Sequence, residues 1–421
     1  MAKDFTEETG QPDRPPAAAV TAEGAAGRSA VFPMPRACPF SPPLYAEAGA
    51  RHPVCRVTLA DGRRAWMVTD YAYARQLLAD HRTSSNRDDV RFPPPVAVVQ
   101  GRPDKGNLVS MDPPEHTVHR RLLAGEFTAG RMRALRPRVQ EIVDNRVTRM
   151  LSSPSHPVDL VQEFARPVAA LVICAFLGIP AADREVFQED VATLVDNTVS
   201  AGQRKAARDA VDRYLAGHIA TRECGTDDDL LSRLIARYRQ AGRYDREVLV
   251  RLANLFLFAG HENSANMIAL GVVALLRSPD QLAALAGNPA MAPRAVEELL
   301  RYLSIADQIT RRVALADIEL GGALIRAGEA VIVSNAAANY DDKVFSEPSA
   351  LDLRREARHH LAFGYGIHQC IGQHLVRLEL EVALTTLLAR IPRLRLAVPA
   401  DQLRFRTDTS TAGVHAAPVT W

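Results

Sequence analysis

Between Asp245 and Arg277 the chain runs for about 32 residues without a proline, apolar on nearly every side of a helical wheel. At 1.5 Å per residue such a helix spans roughly 48 Å. With no polar face it has to cross the interior of a large domain. The 421 residues suffice to surround it, in one big domain or two ordinary ones. Polar residues break the run at Ala259-Gly260-His261-Glu262-Asn263-Ser264. Such a break is costly unless it serves packing, as a kink satisfied by internal hydrogen bonds, or function.

The rest of the chain reads as further helices with few strands. Val54 to Val68 predicts a hairpin turning at Asp61-Gly62, and Asp70 caps a short helix through Leu78. Residues 82–108 are a polar loop, and 115–151 read as one helical stretch. Asp159 opens a helix that Gly178-Ile179-Pro180 stops. Further helices are predicted over 183–198, 204–220, 229–239, 293–303 and 372–391. Strands fall at 318–320, 330–333 and near the C-terminus, after a coil over 341–360. Residues 1–31 lack periodicity and read as a loose leader, leaving 32–421 as a single domain, mainly α with minor β.

Charge and cysteine usage narrow the class. Lys+Arg 51 against Asp+Glu 49 leaves a net charge of +2, which offers no electrostatic footprint for nucleic acid or an anionic membrane. Asp4, Glu7, Glu8 and Asp13 stand where a secretory signal needs an apolar run. The five cysteines, Cys38, Cys55, Cys174, Cys224 and Cys370, form no CxxC pair, which argues against a disulfide framework or a four-thiolate zinc site. A cytoplasmic protein, with no membrane and no nucleic acid among its partners, is the expectation.

The densest chemical signal is Phe363-Gly364-Tyr365-Gly366-Ile367-His368-Gln369-Cys370-Ile371-Gly372. Glycines make a tight turn, and a helix starts just after Cys370. That placement aims backbone N–H groups and a positive helix end at the sulfur, favouring thiolate. A thiolate beside glycine can approach a flat metal macrocycle, since glycine has no side chain to clash. A buried structural cysteine, or zinc held by His368, Cys370 and His374, are the competing readings, the second short of a fourth ligand.

F-x-x-G-x-x-x-C-x-G, met by Phe363, Gly366, Cys370 and Gly372, resembles the haem-binding loop of the cytochrome P450 family. Glu298 and Arg301, at i and i+3 on one helix face, resemble that family's E-x-x-R pair. Phe345, Pro348, Asp352 and Arg355 resemble the coil that the pair ties down. Over 32–421 the resemblance implies a P450 fold with the long helix over haem b (iron protoporphyrin IX), and Cys370 as the iron ligand. It implies O2 and a small-molecule substrate, with electrons from a ferredoxin and ferredoxin reductase. It assigns His116, Arg120, Arg312 and His360 to the haem propionates, with Arg311 competing with Arg312. It places Ala259, Gly260, Glu262 and Asn263 over the distal face, where Gly260 admits substrate and oxygen and Glu262 matches the acid of an acid–alcohol proton relay. Asn263 departs from the usual Thr, and an amide is no hydroxyl relay. Tyr340 departs from a common Arg. Pocket walls are expected at residues 91–99, 194–202, 255–259, 305–309 and 409–410. Hydroxylation in secondary metabolism is the leading reading. Oxidative coupling of phenols, indoles or peptides, and a non-catalytic haem-binding module, are the alternatives. The Glu262-Asn263 pair does not match the Arg-Pro of the family's peroxide-driven members.

Overall fold

The computed structural model describes residues 30–32, 38–42, 52–59, 61–93, 107–183, 190, 193–194, 199–225, 228–307, 310–406 and 411–421. The helices are α1 (Tyr71–Ala79), α2 (Glu115–Ala124), α3 (Ala129–Leu151), α4 (Arg166–Leu177), α5 (Ala201–Arg222) and α6 (Leu230–Gln240). They continue with α7 (Arg246–Leu276), α8 (Pro279–Gly287), α9 (Ala292–Leu303), α10 (Asn335–Asn339) and α11 (Gln373–Arg390).

Helix α7 is the long apolar segment. Asp245 caps it by accepting from the Glu247 and Val248 N–H groups, and every residue from Ser264 to Leu275 is buried. Around it, α3, α4, α5, α9 and α11 complete a single continuous apolar core. Each fully buried Leu or Ile adds roughly 1.5–3 kcal/mol. Gly178 ends α4 in the left-handed conformation (φ 73°). Among the described residues no single helix is long and apolar enough to cross a membrane.

The strands are β1 (Ala30–Phe32), β2 (Val54–Leu59), β3 (Arg64–Val68), β4 (Thr83–Ser84), β5 (Val158–Asp159), β6 (Arg311–Ala314), β7 (Ile318–Leu320), β8 (Ala323–Ile325), β9 (Ala330–Val333), β10 (Arg395–Leu396), β11 (Phe405–Arg406), β12 (Gly413–Val414) and β13 (Pro418–Thr420). The main sheet has the order β1-β2-β3-β9-β6-β4. The pair β11–β12 is a separate hairpin in which Arg406 faces Gly413.

Several expectations change. Residues 115–151 are two helices, because the chain breaks at the 3₁₀ turn Gly125–Phe127 and Thr128 caps α3. Asp159 sits in β5 and accepts from the Val161 and Ala417 N–H groups, and a π-helical turn, Val161–Ala165, leads into α4. Ala30 and Val31, assigned to the leader, pair with Val57 and Thr58 in the sheet. Strand β6 reads as polar in sequence because of its two arginines, yet all four residues are buried. Residues 1–29 and most of 184–198 lie outside the described residues.

Candidate active site

Cys370 lies at the end of a glycine turn wedged between α1, α2 and α11. Gly364 and Gly366 both adopt positive φ (69° and 74°), which favours glycine. A Cβ at Gly366 would collide with the backbone carbonyl of Leu78 in α1. The Cys370 N–H donates to Phe363 O at 2.9 Å, which closes the loop. Cys370 itself is half-buried. Its surroundings desolvate the thiol and push its pKa up, while the Gly372 and Gln373 N–H groups, Arg120 and Arg377 act the other way. A thiolate there is favoured once a metal cation supplies the missing charge. Gly372 has an ordinary φ (−80°), so what it contributes is its N–H toward the sulfur.

Facing this loop is a cluster of cations and imidazoles. Arg120 Nη2 donates to Gln369 O at 2.6 Å and so grips the cysteine loop directly. The rings of His116 and His368 lie 4.3 Å apart. Both ring nitrogens of His116 are buried without a hydrogen bond among the described residues. Burial, with Arg120 and Arg312 among the nearby charges, holds His116 down to about 4 and His368 to about 3. Arg312 is buried (8% exposed) and has no ion pair among the described residues; burial lowers it to about 10, with Asp112 acting the other way. Arg87 acts on Arg311, Arg312 and His368. Alternation along β6 turns Arg311 elsewhere, toward the ring of Phe32 at 5.7 Å. Asp112 acts on both His116 and Arg312, and the surplus of buried cations and imidazoles over that one carboxylate suits a dianionic ligand.

His360 is the main correction. Its Nε2 lies 3.2 Å from Glu297 Oε2, and Glu297 also pairs with Arg377 Nε at 2.6 Å. Burial would push Glu297 up, but His360 and Arg377 hold it down to about 2. Arg377 in turn lies 4.7 Å over the ring of Phe363, whose other neighbour is the His360 ring at 5.6 Å. His360 therefore braces the base of the loop, and His368 occupies the cationic cluster. The sequence signal for His368 is its place two residues before Cys370, the spacing that also suits a zinc ligand. Among the described residues no three His, Cys, Asp or Glu side chains come together to hold a metal ion.

Glu298 and Arg301 form a two-pronged pair at 2.7 and 2.8 Å, both fully buried. Arg301 also donates to the carbonyls of Asn339, Pro348 and Ala350. Glu298 Oε1 accepts from Arg355 Nε and from the Asp352 N–H, each at 3.1 Å. Asp352 thus contributes backbone to the pair, and its side chain accepts from the Arg354 N–H. Tyr340, unexplained in the sequence, places its ring 5.6 Å from the Arg301 guanidinium and donates to Tyr302 O.

On α7, Glu262 is buried (5% exposed) and pairs with Arg406. Asn263 is half-buried and its amide makes no hydrogen bond among the described residues. Gly260 has a packing reason of its own: a Cβ there would lie 2.7 Å from Ile173 Cδ1 of α4. Ala259 is half-buried, and Phe258 is 36% exposed in the middle of α7. Of the expected pocket walls, residues 94–99, 195–198, 308–309 and 409–410 lie outside the described residues. Ser264 gives its hydroxyl to Glu379 of α11.

Burial pushes Glu379 up from 4.5 to about 8 against that hydrogen bond. A raised carboxyl value means stability is fully present below the ordinary value and is lost as pH climbs toward 8. Glu379→Gln should therefore raise the melting temperature at about pH 8.5 and change it little at about pH 5, as thermal scans at the two pH values would show.

A sequence model of the cytochrome P450 family matches residues 51–200 and 290–410. The chain belongs to this family. It is 48% identical over 395 residues to the vitamin D3 dihydroxylase of Streptomyces griseolus, spanning 93% of this chain and 96% of that protein. Pentalenic acid synthase of Streptomyces avermitilis is 46% identical over 392 residues, spanning 93% and 97%. The crystal structure of cytochrome P450 MoxA from Nonomuraea recticatena matches with a TM-score of 0.88 at 46% identity, over 94% of this chain and 99% of that one. This P450 is an oxidoreductase of the monooxygenase class, and its cofactor is haem, iron protoporphyrin IX. The residues present fit that group: a loop thiol for the iron, glycine where the loop is tightest, and the unsatisfied His116 ring with the Arg120 and Arg312 guanidinia for two carboxylates.

Proposed function

We propose that this P450 hydroxylates a small, largely apolar molecule of secondary metabolism in the cytoplasm, with electrons from a ferredoxin and its reductase. The supporting observation is Cys370 on its glycine turn, opposite the His116, Arg120, Arg312 and His368 cluster. Cys370 is the iron ligand in this reading, and the four cationic or imidazole groups bind the propionates. When bound, the haem supplies dioxygen activation, the thiolate's electron density favouring O–O cleavage. The balance is R–H + O2 + 2 e⁻ + 2 H⁺ → R–OH + H2O: one oxygen enters the C–H bond and the other leaves as water.

The chain's own residues position substrate and move protons. In this reading Phe258, exposed, and Leu255, half-buried, supply an apolar wall from α7, which accords with relatives whose names specify vitamin D3 and pentalenic acid. Glu262 is the proton donor and Asn263 orients a relay water, because Ser264 is committed to Glu379. Arg121, Arg131 and Arg133 are exposed and face the ferredoxin, whereas Arg120 points inward to Gln369.

The test is titration of the haem-loaded enzyme with two panels, aliphatic polycycles and macrolides against Tyr- and Trp-containing peptides, followed at the Soret band. A shift to shorter wavelength with the aliphatic panel, and oxygenated product with ferredoxin, reductase and NADH, are expected. A shift with the peptides alone would replace hydroxylation by oxidative coupling. Normal thiolate-haem spectra without any shift or product would leave a non-catalytic haem protein. Asn263→Thr should alter the split between product and peroxide; an unchanged rate, product and peroxide yield would show the position to be unspecialised.

A further inference from the structure

Glu262 sits in the middle of α7, where a lone carboxylate would be costly to bury. Two donors meet it. Asn266, one turn along the same helix, donates Nδ2 to Oε1 at 3.1 Å. Arg406 of β11, 144 residues away in sequence, donates Nη1 to the same Oε1. Arg406 is itself only 8% exposed. The hairpin is fitted to this arrangement. Gly413 stands opposite Arg406 in the β11–β12 register, and a Cβ on it would lie 2.5 Å from Asn266 Oδ1. Both grips fall on one oxygen, and Oε2 makes no hydrogen bond among the described residues.

We infer that Arg406 is a positioning residue for proton delivery: with Asn266 it clamps Oε1 of Glu262, leaving Oε2 to carry the proton. This rests on the reading of Glu262 as the proton donor. Each turnover consumes two protons that leave in the water formed from dioxygen's second atom. Oε2 takes its proton from solvent, passes it inward and is reloaded. The hairpin thereby fixes the direction in which the acid acts, although it contains none of the family motifs.

The experiment compares the haem-loaded parent with Arg406→Met, Glu262→Gln, the double variant and Gly413→Ala. Gly413→Ala crowds Asn266 without removing a charge, and so covers the case in which Arg406→Met fails to fold. Thermal unfolding gives the pair's coupling: Arg406→Met should melt well below the parent, and the double variant should recover much of the loss. Peroxide yield per NADH and the solvent isotope effect on product formation report proton delivery. Arg406→Met and Glu262→Gln should each cut product formation by on the order of tenfold to a hundredfold and raise peroxide. The double should be no worse than Glu262→Gln, and Gly413→Ala should shift both readouts in the same direction. If Glu262→Gln leaves both at parent values, the proton-donor reading itself falls. If Glu262→Gln changes them while Arg406→Met and Gly413→Ala do not, Arg406 only stabilises the fold and the inference is overturned.

Discussion

Arg301→Ala is expected to give little or no folded, haem-loaded protein. Removing one partner of a buried ion pair costs about 3–5 kcal/mol, because the other charge stays buried. Here the loss does not stop at Glu298, since the Asn339, Pro348 and Ala350 carbonyls lose their donor as well. Each buried group left unsatisfied adds about 1–3 kcal/mol. The sum rivals the roughly 5–15 kcal/mol that holds a typical domain together. Arg301→Lys should fail nearly as badly, since a single ammonium cannot reproduce a planar fork engaging several acceptors. Exposed Arg121→Ala serves as the control and should stay within about 0.5 kcal/mol of the parent. Soluble yield, Soret absorbance and melting temperature would decide. An Arg301→Ala protein of near-parental stability would show that the coil over 339–355 is held by something other than this side chain.

Cys370→Ser should separate folding from chemistry. The loop is closed by backbone, Cys370 N to Phe363 O, and its outer contact with Arg120 is to the Gln369 carbonyl. The serine protein should therefore fold with nearly parental stability and keep the His116, Arg120, Arg312 and His368 cluster. What it loses is the soft thiolate and its electron donation. Turnover should drop by on the order of a thousandfold or more, about 4 kcal/mol of barrier. The long-wavelength Soret band of the reduced, carbon monoxide-treated enzyme should disappear. Retention of that band would mean that another residue holds the iron.

How far the sequence carried depended on how local each signal was. The cysteine loop was legible because its turn, sulfur and helix start occupy ten consecutive residues. Glu298 and Arg301 were legible because they share one helix turn. Asp245, Asp229 and Asp70 each announced a helix start, and the structure caps α7, α6 and α1 with them. The choice between His360 and His368 was not legible. Both flank the same motif, and only the folded turn shows that His368 is aimed at α2 while His360 is turned to Glu297. The resemblance favours Arg312 over Arg311, and the strand supplies the physical reason, since alternation sends neighbours to opposite faces. The partner of Glu262 was out of reach, because nothing in residues 395–421 marks one arginine as destined for the centre of α7. The packing of Gly260 was out of reach too, because its neighbour Ile173 belongs to another helix.

The reach of Arg301 also orders events in time. Its carbonyl acceptors lie 38 to 49 residues further along the chain. At about 5–20 residues per second of synthesis, a guanidinium destined for a waterless interior waits roughly 2–10 seconds in solvent before they exist. Cys370 is made later still. Throughout that interval α9 has no finished surface to dock on, and the nascent chain presents half a cradle that cannot grip a cofactor. Haem loading belongs to the end of biogenesis, and a cell that makes this enzyme quickly must shield an open apolar core until residue 370 has emerged.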